Sequence, residues 1–120
     1  MKVLIVECDR DLSSLWARHL ERTGVTVILA ATQADAIDVL QRLEINVIVL
    51  DLILMDGSAF AIADFASYRR PKARVVFVTK KSFFSDGSIF NLIPNTAAFV
   101  TAQTPPDDLA AIVEHYGLPA

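Results

Sequence analysis

The sequence predicts an α/β domain built on a parallel sheet with right-handed crossovers, and three observations point there. Five short runs rich in Val and Ile alternate along the chain with longer stretches of helical periodicity. Those runs are almost continuously apolar, as strands covered on both faces are, whereas a sheet with one wet face needs alternating polar residues. The composition agrees, with 53% hydrophobic and 21% charged residues and a mean hydropathy of +0.44.

Each element follows in order. Lys2 to Glu7 reads as a buried strand with the apolar run Val3 to Val6. Asp9 can cap the next segment, where Leu12, Leu15, Trp16 and Leu20 recur at helical spacing and Gly24 stands past the end. Val25 to Ala30 is the second strand. Thr32 and Asp35 form a weakened capping box for a helix bearing Ala36, Ile37, Leu40 and Leu43 on one face. Val47 to Leu50 is the third strand and ends at Asp51. Gly57-Ser58 precedes a helix holding Phe60, Ile62, Ala63 and Phe65, and Pro71 closes that region. Arg74 to Thr79 is the fourth strand. Lys80 to Pro94 carries the weakest pattern, with room for a short helix around Gly87 to Ile93. Ala98 to Thr101 is the fifth strand, and Pro105-Pro106 leads into a last helix with Leu109, Ile112 and Val113.

The remaining bounds are set by length and charge. A chain of 120 residues is the size of one domain, expected here over residues 1–120, and needs no disulfide staple. The formal net charge is −3, the pI about 5.2, and no basic stretch exceeds two residues, which argues against a nucleic-acid surface. The single cysteine, Cys8, excludes an internal disulfide and a thiolate cluster. Neither a signal peptide's apolar region nor a membrane span is found, so the expectation is a soluble, cytoplasmic domain.

In parallel α/β sheets ligands collect beyond the carboxyl ends of the strands. That rule selects Glu7 to Asp9, Asp51 with its loop, Thr79, and Thr101 to Gln103. Asp51 ends a fully apolar strand and is followed by Leu-Ile-Leu-Met, so its partners must come from other strand ends. Several carboxylates converging at one point repel unless a cation or proton sits among them. Hard oxygen donors suit Mg2+, and a carboxylate beside such an ion can act as a nucleophile towards phosphorus.

Four segments together carry a family resemblance. Val3-Leu-Ile-Val-Glu7-Cys8-Asp9, Val47-Ile-Val-Leu-Asp51, Val75-Val-Phe-Val-Thr79, and Ala98-Phe99-Val-Thr101 with Pro106-Asp-Asp-Leu109 resemble, in order and spacing, the receiver domain of two-component response regulators. The resemblance covers residues 2 to 116. It implies a flavodoxin-like three-layer sandwich whose five-stranded parallel sheet has the order 2-1-3-4-5, with helices on both faces. It further implies a regulatory domain rather than an enzyme, one that at most catalyses its own phosphorylation. Asp51 would accept a phosphoryl group from a histidine kinase or phosphotransfer protein. Thr79 would contact that group and switch the face seen by a downstream protein partner. Glu7, Asp9, Asp51 and the Ile53 backbone carbonyl would hold a weakly bound Mg2+. The chain would work as a monomer or homodimer.

Departures from the family pattern are equally legible. Cys8 replaces the aspartate that usually ligates Mg2+, and a thiol is a poor donor to that ion. The family's lysine and the proline after it map onto Ala102-Gln103. The switch aromatic is Phe99, and Lys80 follows Thr79 where a small residue is usual. The loop after Asp51 lacks the usual proline and reaches Asp56-Gly57 about two residues early, so a compact, altered connection is expected. Lys80 is a candidate stand-in for the missing lysine, against the plainer view that it points to solvent beside Lys81.

Plainer readings stand beside the others too. Asp9 could only cap a helix, Cys8 could be a small buried hydrophobe, and Thr79 could be an ordinary strand residue. Phe83 and Phe84 either pack over a shortened fourth helix or expose a partner contact. The competing function is a phosphorylation-independent pseudo-receiver that serves as a protein-interaction module. A flavin or nucleotide binder would need a glycine-rich phosphate loop, and the four glycines are unpaired.

Overall fold

In the computed structural model, which describes residues 1–79 and 95–117, the apolar runs form one parallel five-stranded sheet in the order β2-β1-β3-β4-β5. The strands are β1 (Lys2–Val6), β2 (Thr26–Ala30), β3 (Val47–Asp51), β4 (Arg74–Thr79) and β5 (Thr96–Thr101). The described helices are α1 (Arg10–Glu21), α2 (Gln33–Arg42), α3 (Ala59–Arg69) and α4 (Pro106–Gly117). The expected strand order and three-layer arrangement are therefore those of the molecule. The expected helix around Gly87 to Ile93, with Phe83 and Phe84, lies outside the described residues.

Side-chain alternation along the central strands divides the interior into two cores. Leu4, Val6, Ile48, Leu50, Val75 and Phe77 face α2 and α3, where Leu40, Ile62 and Ala66 meet them. Val3, Ile5, Val47, Val49, Val76 and Val78 face α1 and α4, against Trp16, Leu20, Leu109 and Val113. Every residue of β3 is buried, which is why this strand is apolar throughout except at its end. Each large side chain so covered contributes about 1.5–3 kcal/mol relative to an exposed one.

Capping follows the sequence closely. Asp9 Oδ1 accepts from the Asp11 and Leu12 amides, Thr32 Oγ1 from Asp35, and Ser58 Oγ from Ala61. β5 begins at Thr96, two residues before the apolar run that marks it, because the chain pairs Thr96 with Val75 across an irregularity at Val75/Val76.

The β3–α3 connection, residues 52–58, is tied to the start of α2. The Gln33 amide donates to the Asp56 carbonyl at 3.2 Å, and Gln33 Oε1 accepts from the Ser58 amide at 2.8 Å. Gly57 has φ +105°, and a Cβ there would meet Gln33 Cβ. Both a strained backbone and a lost clamp follow from adding a side chain. Gly57→Ala is therefore expected to cost about 1–3 kcal/mol in urea denaturation. A loss under a few tenths would mean that the loop can leave Gln33 without penalty.

Candidate functional site at the carboxyl edge

Three parallel strands end together at one edge of the sheet. β1 runs out into Glu7, which is 2% exposed, and its amide donates to the Ala30 carbonyl at the end of β2. β3 ends at Asp51, 0% exposed, and β4 at Thr79, 1% exposed. The register pairs Asp51 with Val78 and Thr79 with Thr101, which sets the carboxylate and the hydroxyl residue on neighbouring strands one step apart. These positions follow from strand length alone, since each polar residue is the first beyond a fully apolar run.

Local hydrogen bonds orient the acids. Asp51 Oδ1 accepts from the Ile53 amide at 3.1 Å, which folds the first turn of the loop back over the carboxylate. Glu7 Oε1 accepts from the Asp9 amide at 3.0 Å and lies 3.9 Å from the Cys8 sulfur. One ligand atom each from Glu7, Cys8 and Asp51 falls within 4.8 Å of the others.

The sequence-predicted residues divide as follows. Glu7 and Asp51 come together as expected from their strand ends. Asp9 does not join that group: it is exposed, and its Oδ1 holds the first amides of α1. Its backbone, rather than its carboxylate, serves the site, through the bond to Glu7. The Ile53 side chain is exposed, and its amide donates to Asp51 Oδ1. Ala102 sits beside the site through its amide, which donates to the Thr79 carbonyl at 2.8 Å, while its side chain packs on the α1–α4 core. Phe99 is half-buried against the other core. Lys80 lies outside the described residues.

Cys8 is the participant that sequence reasoning assigned least. Its identity and its position next to Glu7 were the available signal, but only the turn after β1 decides that its sulfur faces the acids. A groove of about 290 Å³ borders the same edge between α1 and the end of β2, with Glu7, Arg10, Ser13, Ser14 and Asp35 on its walls.

A larger cavity of about 440 Å³ lies at the opposite, amino edge, beside Asn46, Arg69, Arg70 and Lys72. Its two arginines already have work: Arg70 Nε donates to the Leu40 carbonyl at 2.9 Å and Arg69 Nη2 to that of Gln41 at 3.0 Å. Both satisfy carbonyls that α2 leaves open at its C-terminus.

Solved structures share this fold over nearly the whole of this chain. A CheY-like response regulator receiver domain protein from Methanospirillum hungatei JF-1 superposes with a TM-score of 0.87 at 23% identity, over 97% of this chain and 92% of that one. The chain has the receiver fold. The non-phosphorylated HemR receiver domain from Leptospira biflexa gives 0.87 at 21% identity, over 99% of this chain and 95% of that one. A response regulator from Burkholderia pseudomallei, whose structure holds a phosphorylated aspartic acid, a calcium ion and citrate, gives 0.84 at 17% identity, over 97% of this chain and 68% of that one. No family model and no curated protein matches the sequence. Among the described residues of this receiver fold, no helix is long and apolar enough to cross a membrane.

Proposed function

We propose that the chain is a signalling receiver that takes a phosphoryl group on Asp51 from a histidine kinase or phosphotransfer protein. The observation that carries this reading is the placement of a buried carboxylate at the end of the central strand β3, next to the β4 end that carries Thr79. A carboxylate oxygen of Asp51 attacks phosphorus, the bond from phosphorus to the donor nitrogen breaks, and an acyl phosphate forms. The Thr79 hydroxyl donates to a phosphoryl oxygen. Because the Ala102 amide donates to the Thr79 carbonyl, a shift at the end of β4 reaches the residue that follows β5 directly. The face around it is the one offered to a downstream protein partner.

The family's Mg2+ fits this donor set poorly. Two carboxylates and a thiol converge here, whereas Mg2+ demands an all-oxygen octahedron. Asp9 Oδ1 accepts from the first amides of α1, and Asp9 is not among the ligand atoms that converge here. Any Mg2+ bound would rest on Asp51 and Glu7 and be held weakly.

Intact-mass measurement after treatment with acetyl phosphate and Mg2+ tests the proposal. The chain should gain the mass of one phosphoryl group, and Asp51→Asn should gain none. An unmodified wild-type chain that still captured a kinase or regulator would favour a phosphorylation-independent interaction module, the reading supported by Cys8 and Ala102.

A further inference from the structure

The donors at the carboxyl edge disagree with the cation of the fold family, and from that disagreement we infer that this site takes a thiophilic divalent cation, Zn2+, on Cys8 Sγ with the Glu7 and Asp51 carboxylates. Three ligand atoms of the right kinds lie within 4.8 Å of one another. Around tetrahedral Zn2+, with Zn–S near 2.3 Å and Zn–O near 2.0–2.2 Å, ligand atoms stand about 3.5 Å apart. Side-chain rotation of about 1 Å therefore closes the set, and a water completes the fourth position. Glu7 and Asp51 are fixed by buried strand ends, while the half-buried Cys8 leaves the site open to solvent on one side.

Selectivity follows from donor softness. A sulfur donor strengthens Zn2+ and weakens Mg2+, so the cysteine at position 8 widens the preference for Zn2+ over Mg2+ beyond that of an all-carboxylate site. On binding, the Cys8 thiol proton passes to solvent and the Zn–S bond forms with no change of oxidation state. This inference concerns the unphosphorylated chain and stands apart from the phosphoryl reading.

Cobalt(II) is the probe, added to the reduced, metal-free chain without any phosphodonor. The expected result is a near-ultraviolet sulfur-to-metal charge-transfer band that saturates at one ion per chain. Zn2+ should bleach it at micromolar concentration, and millimolar Mg2+ should not. Cys8 is the only cysteine, so the band reports that sulfur alone. Cys8→Ser should abolish the band, and Asp51→Asn should lower Co2+ affinity at least tenfold, with folding checked by circular dichroism. Absence of the band in the wild-type chain would overturn the inference. So would displacement by Mg2+ as readily as by Zn2+, or an unchanged Co2+ affinity in Asp51→Asn, which would leave the sulfur binding metal without the acids. None of these results bears on phosphorylation of Asp51, which the mass measurement reads separately.

Discussion

Cys8→Asp is expected to raise Mg2+ affinity at least about tenfold, the scale that even outer-shell changes reach at metal sites. The substitution replaces a soft donor by a hard anionic oxygen at a side chain already facing Glu7 and Asp51. It also adds a third carboxylate to two buried ones. At 4.8 Å and an effective dielectric constant near 20, each added repulsion is about 3 kcal/mol. The variant should therefore be less stable than wild type without the ion and regain stability with it. Mg2+ at a hundred times its Kd returns about 2.7 kcal/mol, which for a domain of this size is a rise in Tm on the order of 10 °C. The wild-type Tm should hardly respond to Mg2+. Calorimetric titration and thermal unfolding with and without the ion check both parts. Equal Mg2+ affinities for the two proteins would show that position 8 does not face the ion.

Trp16→Ala should produce the largest loss of stability among single truncations in the α1–α4 core, about 3–5 kcal/mol. Trp16 is 2% exposed and packs in the core formed by Val3, Ile5 and Val47 of the sheet with Leu20 of α1 and Val113 of α4. No neighbour can fill the space of an indole without moving a strand, so most of the cavity persists. Against a net stability of about 5–15 kcal/mol, that loss approaches half of what holds the domain together. Far-UV circular dichroism in urea is the suitable readout, because the variant removes the only tryptophan. The midpoint should fall with little change in slope. Tyr68→Ala, at a side chain 85% exposed, should stay within about 0.5 kcal/mol of wild type. A loss below 1 kcal/mol for Trp16→Ala would mean that α1 is not seated on the sheet through this residue.

The elements themselves are legible in the sequence because their causes are local. Val47 to Leu50 must be a buried strand because a short, β-branched, wholly apolar run has no wet face to offer. Asp9, Thr32 and Ser58 cap helices because a side-chain oxygen needs only the amides two or three residues ahead. The carboxyl-edge rule then selects Glu7, Asp51 and Thr79 without coordinates, since each is the first polar residue past such a run. Strand order is not local in this sense. Strands buried on both faces carry no mark of their neighbours, and the order was available only through the resemblance of the four segments to receivers. What the tertiary structure alone decided is the direction of the side chains just beyond the strands. Periodicity ends where β1 ends, and the turn through Cys8 and Asp9 sends adjacent residues to different tasks: the sulfur towards Glu7 and Asp51, the carboxylate to the first amides of α1. Gln33 likewise reaches the 52–58 loop only because α2 and α3 lie side by side on one face of the sheet. Such contacts depend on loop dihedrals and on packing between segments far apart in the chain, and no spacing within either segment encodes them.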